Sequence, residues 1–547
     1  MEITMNGNYM NGNPGQPMPG YPTQPVMQPP QIPPKPPKIR REYKAHEIFF
    51  AWFSFILGFL FCRAFPVTVK PLGGFILVWL AFIAVAIFLV AKRQKPGVMP
   101  LCVVIGALVM SPALLFSANS FLHFFTYGYA IAAFCYFIYA VFGNTVTSAF
   151  SDMLAADFFR ALFVLPFCSI VEFFRAAFYG RAGKSGKAIA KALLGVAAAV
   201  IPTLIVFILL SYDSEFMDLI IRIFSFDWWD VLSWVISLIF AVPIAMYVFG
   251  LYVSSADNKA KDVVTEAECK SAWKMIKVIP AVTTFAAVIP ILVLYVIFFI
   301  SQWGYYVSCF SGVLPEGINY SGYAREGFFQ LCAVSALNLA IILIVSAFMK
   351  RRDNGKSVPL KIISLLYSVA TLILIATAIA KMVMYIDCYG LTPMRIYALF
   401  MISVLTAIFI VVILKQFFSS IKAVAVSFFV CVIMFSALAL SNVDERIAEY
   451  NVNRYIDGSL ASVDVIALYD LGNSGVPDMV RLYELLRDKE DRTEIEDGIF
   501  YETKRFLRFH IDNIMDPEAS VFSFNLPYMK ALGAVNTVID SNGELIQ

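Results

Sequence analysis

The chain has 547 residues, of which 60% are apolar and only 15% charged, whereas soluble domains carry about 45–50% and about 25%. An ordinary soluble enzyme is excluded on that composition. The net charge of +3 hides a split: residues 442–547 hold 10 Lys/Arg against 20 Asp/Glu, leaving +13 for the rest. That basic excess falls in alternate short loops, the pattern that orients a chain in a bilayer, and argues against nucleic acid as a partner.

Up to residue 47 the chain is expected to be a disordered, Pro-rich cytoplasmic tail. Its Met, Asn, Gly and Pro, ending in PPKPPKIRR, cannot bury enough apolar surface to offset chain entropy. The first apolar run starts near Phe49, behind Lys35, Lys38, Arg40, Arg41 and Lys44, so no cleavable signal peptide is expected.

Eleven apolar segments then have the length of membrane spans: 48–64, 72–91, 98–117, 121–142, 190–211, 230–252, 278–301, 327–349, 360–385, 394–414 and 421–441. Basic residues recur in every second connection, as Lys92, Arg93 and Lys95, then Arg181, Lys184 and Lys187, and later Lys350, Arg351 and Arg352. The intervening connections are short, neutral or acidic, as in 212–229 with Asp213, Glu215, Asp218 and Asp227. An odd number of spans carries the C-terminus outside. The fold class is therefore an all-α integral membrane protein with a polytopic domain over 48–441.

Residues 151–180 fit this count least well, because Arg160, Pro166, Glu172 and Arg175 interrupt the apolar run. A pair of amphipathic helices in the inner interface fits, and a re-entrant hairpin is the alternative. GRAGKS, from Gly180, is too short between its glycines for a phosphate loop and follows no strand.

The joint between the ninth and tenth segments, KMVMYIDCYGLTPMR (381–395), concentrates polar residues where lipid-facing helices avoid them. Gly390 and Pro393 stop one helix and start the next. Lys381, Tyr385, Asp387 and Arg395, with Arg325 and Glu326 at the start of the eighth segment, form a candidate binding cluster at the outer surface. Arg395 opens a helix, where the macrodipole disfavours a cation, so an anionic partner is expected. Cys309 and Cys388 both fall in predicted outer connections and could pair, although sequence does not supply the Cα distance a disulfide needs.

Residues 442–547 read as a soluble helical domain outside the membrane. Asn442 and Asp444 look like a helix start, Pro477 is a first-turn proline, and a helix from about Thr493 to Ile514 carries Ile499, Phe500, Phe506 and Phe509. A small array of antiparallel helices, of solenoid type, is expected.

Three phrases carry a family resemblance: YSGYAREGFFQL (320–331), MYIDCYGLTPMRIYALF (384–400) and NVDERIAEYNVNRYIDG (442–458). In order and membrane position they resemble the bacterial membrane proteins catalogued as domain-of-unknown-function family four-one-seven-three, over about the last two-thirds of the chain. The resemblance implies a multi-spanning bacterial envelope protein. It brings no catalytic residues.

No nucleophile–base set is present, and His46, His123 and His510 are isolated, so no catalytic residue, metal or cofactor is assigned. The loop RAFPVTVKP lacks the acidic residues that lipid-linked glycosyltransferases carry in their first outer loop. Two readings remain. One is a non-enzymatic scaffold or sensor presenting an acidic helical domain outside the cell, with the bilayer and an envelope protein or lipid as partners. The other is a transporter or lipid flippase using the cluster around Lys381 and Asp387.

Overall fold

The structure, a computed structural model, describes residues 42–64, 71–91, 94–146, 151–179, 228–259, 275–301, 320–350, 358–514, 524–540 and 545–546, with scattered residues of 195–217, 268–272 and 303. Among them the secondary structure is helical apart from two isolated bridges, Ile279 with Met349 and Ile539 with Leu545. Ten helical stretches are long and apolar enough to cross a membrane. The protein is an all-α, multi-pass membrane protein. Ten of the eleven expected spans coincide with these stretches; the other, 190–211, lies largely outside the described residues.

The first group of helices is α1 (Ala45–Ala64), α2 (Pro71–Ala91), α3 (Val98–Met110), α4 (Ala113–Phe116) and α5 (Ser120–Val141). After it come α6 (Leu154–Phe159), a π-helical turn (Arg160–Val164), α7 (Leu165–Cys168), α8 (Glu172–Ala177) and the long α9 (Trp228–Ala256). The second group is α10 (Ala281–Ser301), α11 (Tyr320–Phe348), α12 (Val358–Tyr389), α13 (Pro393–Phe417) and α14 (Ala423–Leu440).

Side-chain contacts give the direction of each helix. Phe50 meets Tyr252 at 4.5 Å and Phe59 meets Trp234 at 5.6 Å, so α1 and α9 are antiparallel. Phe50 meets Phe88 at 4.7 Å, so α2 returns beside α1. Phe82 lies 5.9 Å from Phe134, and Gly74 lies against Tyr127, so α5 runs parallel to α2. Both α5 and α9 thus start at the face where α1 ends, called distal here, and finish at the proximal face where α1 begins. The expected span 190–211 falls between α5 and α9, largely outside the described residues.

The same reasoning orients the second group. Phe125 meets Phe435 at 5.6 Å and Phe158 meets Phe428 at 5.1 Å, which runs α14 from proximal to distal. Tyr397 lies 4.8 Å from Phe121, so α13 starts at the distal face. Lys361 stands 5.4 Å over the Phe417 ring, putting the start of α12 at the proximal face. Buried polar groups bind α10, α11 and α12 together: Tyr295 Oη donates to Asn338 Oδ1 (2.5 Å), Asn338 Nδ2 to Thr371 Oγ1 (2.9 Å), and Tyr367 Oη to the Val288 carbonyl (3.0 Å). Such bonds between spans hold helices whose apolar faces gain little over lipid.

Residues 151–179 wedge among the spans of the first group. Tyr139 Oη donates to Asp157 (2.8 Å), Tyr247 Oη donates to the Leu162 carbonyl (2.7 Å), and Lys259 Nζ donates to Ser169 Oγ (2.6 Å). Gly250, well inside α9, admits this segment, because a Cβ there would stand 2.3 Å from the Pro166 carbonyl oxygen. Phe159, Phe163, Phe167 and Val171, four residues apart, remain exposed, whereas Leu154, Asp157, Ala161 and Leu165 are buried. The segment is thus apolar on the side turned away from the protein, as an amphipathic element in lipid requires.

Beyond α14 lie α15 (Val443–Ile456), α16 (Val465–Tyr469), a 3-10 turn (Gly472–Ser474), α17 (Val476–Arg487), α18 (Glu494–Ile514) and α19 (Leu526–Val538). A capping box opens α18: Thr493 N donates to Glu496 (2.9 Å) and Glu496 N to Thr493 Oγ1 (3.3 Å). Lys489 Nζ at 2.6 Å, with the backbone N–H and hydroxyl of Thr493, holds the Glu496 carboxyl down at about 2. These helices share one apolar core, in which Met479, Leu482, Tyr483 and Leu486 of α17 meet Ile447, Leu468, Leu507 and Val535. The core is gathered around α17, which touches α15, α16, α18 and α19.

Candidate functional site

The polar joint follows from local rules. Gly390, at φ +74°, ends α12, and its N–H donates to the Ile386 carbonyl at 2.8 Å, closing a left-handed C-cap. Leu391 and Thr392 follow, and Pro393 opens α13. The helix end leaves carbonyls without intrahelical donors. Arg395 supplies one: its guanidinium donates to the Tyr389 carbonyl (2.9 Å) and to that of Gly390, and lies 4.3 Å over the Tyr385 ring. The expected anion is thus replaced by the partly negative end of the α12 dipole.

The next turn of chain is held from outside. Asn451 of α15 accepts from Leu391 N–H (2.7 Å) and donates to the Leu391 carbonyl (2.8 Å). One side-chain amide thereby satisfies both backbone groups of a residue that belongs to no helix. The contact also excludes a side chain at position 390, where a Cβ would sit 2.5 Å from Asn451 Oδ1. Three residues further along α15, Arg454 lies 4.0 Å from Asp387 and donates to the Tyr450 hydroxyl (3.3 Å) and the Ile386 carbonyl (3.4 Å).

A second clamp lies toward the start of α15. Asn119 precedes α5 and caps it, its Oδ1 accepting from Phe121 N (3.0 Å) and Leu122 N (3.3 Å). Its Nδ2 donates to both carboxylate oxygens of Asp444, at 3.1 and 2.9 Å. Asp444 is buried, and burial pushes its carboxyl above the usual range, against the pull of the Asn119 donor. Asp444 therefore lies within α15 and points at another element. Asn442, at φ 49°, precedes the helix without capping it by a side-chain bond. One helix thus holds the first group through Asp444 and the second through Asn451.

The expected cluster divides. Tyr385 and Arg395 come together, and Asp387 meets Arg454. Lys381 is buried on α12, six residues before Asp387, a spacing that turns the two roughly 120° apart around the helix. The side chains of Arg325 and Glu326 lie outside the described residues. Cys388 is an exposed free thiol, and Cys309 lies outside the described residues. Asn119, Asn451 and Arg454 were not singled out in the sequence, and Asp444 was read only as part of a helix start. The only local signal was the Asn451/Arg454 spacing on one face of an amphipathic helix.

Comparison with curated proteins finds no match, and comparison with solved structures finds none. A family model described as a domain of unknown function, DUF4153, matches residues 80–482. The match covers all three phrases quoted above and leaves out the Pro-rich tail, but its family is not the one numbered four-one-seven-three. From within α2 to within α17, and on most of its length, the chain belongs to the DUF4153 family.

Proposed function

We propose that the protein is a non-enzymatic scaffold or sensor of the bacterial cell envelope, with its acidic helices α15–α19 outside the cell. In this reading residues 1–47 form a cytoplasmic tail, 48–441 the membrane domain, with 151–180 at its inner surface, and 442–547 the extracytoplasmic domain. The observation that carries it is the double clamp, in which Asp444 and Asn451 on one helix engage both halves of the membrane bundle. A domain held in that way can report, or fix, the relation between the halves.

Charge supports the orientation. Lys44, Lys95, Lys259, Lys350, Lys361, Lys415 and Lys422 all fall at the proximal face, and basic residues favour the cytoplasmic side. The distal face carries the helices whose stretch has twice as many acidic as basic residues. The transporter reading draws less support, because Arg395 and Asp387 are already engaged with the joint and with α15.

Protease added to intact cells tests the placement. Residues 443–547 should be digested while the spans survive; protection of that segment until the cells are lysed would refute it. A reporter fused after Gln547 should be active only outside the cytoplasm.

A further inference from the structure

The first helix group encloses a cavity of about 490 Å³. Its walls are the middle stretches of α1, α2, α5 and α9, and Phe167 and Ile170 of the 151–179 segment close one side. Among the described residues that line it, none is charged. Among the polar groups of the wall, Tyr247 Oη donates to the Leu162 carbonyl at 2.7 Å and lies 3.8 Å from the Cys135 thiol, and Tyr127 Oη lies against Gly74.

The lining is graded from buried to open. Phe82, Phe134 and Val248 are buried, whereas Ile131 is 40% and Phe167 56% exposed. The mouth therefore opens sideways between spans, onto the surface that faces lipid. Water has no place inside, because it needs two to four polar partners. An apolar cavity of about 150 Å³ stays dry and takes up apolar guests, and this one is about three times larger. The medium at its mouth offers one abundant apolar guest, hydrocarbon chain.

We propose that this cavity is a binding site for one acyl chain of a membrane phospholipid, entering past Ile131 and Phe167. The site is independent of the double clamp and of which face carries α15–α19. Its location beside the 151–179 segment couples occupancy to that segment, since Phe167 is both rim and part of the wedge held by Tyr247 and Gly250.

The test uses the full chain in vesicles of phosphatidylethanolamine and phosphatidylglycerol, with a trace of phosphatidylglycerol bearing a photoreactive diazirine at mid-chain. After illumination, peptide mass spectrometry should find label on the buried wall, at Phe134 or Tyr247. Ala130→Phe, which fills the cavity, should remove wall labelling and leave that of lipid-facing Ile105 unchanged. Label confined to lipid-facing residues such as Ile105 in the unaltered protein would overturn the proposal, whether or not the filled variant folds.

Discussion

Asn119 Nδ2 lies 2.9 and 3.1 Å from the two carboxylate oxygens of Asp444, a residue 325 positions away in the chain. The same asparagine caps α5 with its other amide atom, so one side chain joins the start of a membrane span to the first helix beyond the last span. Removing it leaves a buried carboxylate short of a donor. Asn119→Ala should cost about 1–3 kcal/mol. Asp444→Asn should cost less, since an amide can still accept from Asn119. Thermal unfolding of the purified protein in detergent measures both.

The joint makes a second, sharper expectation. Gly390→Ala combines a left-handed backbone, costing an L-residue roughly 1–2 kcal/mol, with a Cβ 2.5 Å from Asn451 Oδ1. In an Asn451→Ala background the clash disappears and only the backbone cost remains. The two substitutions should therefore be less than additive in a double-mutant cycle. Strict additivity would mean that Asn451 does not touch the joint.

Asp387 and Arg454 stand 4.0 Å apart, with the Asp387 side chain 63% exposed. Exposed pairs contribute about 0–1 kcal/mol. Asp387→Lys should shift stability only slightly. Arg454→Ala alone should cost more than Asp387→Ala, because Arg454 also donates to Ser459 and Tyr450.

The pH response of the helices beyond the membrane should depend on Asp478. Burial, reinforced by Glu449 and Glu445 and opposed by Arg481, raises its carboxyl from 3.8 to about 6. A raised folded value means that the fold binds the proton more tightly than the unfolded chain does. Its contribution is therefore greatest below 3.8 and falls as pH rises toward 6, then stays level. Asp478→Asn should flatten that slope in denaturant titrations run between pH 4 and 7. His510 works the other way, since burial lowers its value and protonation below its unfolded range destabilises the fold.

Within the second helix group, Tyr295→Phe and Asn338→Leu each break the chain of bonds joining α10, α11 and α12. Measured interhelical bonds in membranes average about 0.6 kcal/mol and reach about 1.7. The cycle between these two variants should give a coupling in that range, read as resistance to unfolding in sodium dodecyl sulfate.

Much of the helical layout was legible because the bilayer imposes one length and one composition on every span. Ten segments recovered from apolar runs match helices within a few residues, and Thr493 to Ile514 was bounded almost to the residue. What escaped was partnership. Nothing near Asn451 in sequence names Leu391, 60 positions earlier, and side-chain amides carry no mark of what they will meet. The candidate cluster around Lys381 and Asp387 rested on crowding along the chain, while helical rotation decides which neighbours face each other. The row Ser364, Tyr367, Ser368 and Thr371, all buried on one face of α12, was readable at helical spacing but drew less notice than charge.

The distance in sequence between Asn119 and Asp444 also sets an order of events. Translation proceeds from the N-terminus, so the first spans leave the ribosome long before α15 has been made. The clamp is necessarily among the last contacts to form, and a nascent chain halted before residue 444 must rely on its spans alone. Completion of synthesis is thus the step at which α15 adds its hold on the two halves.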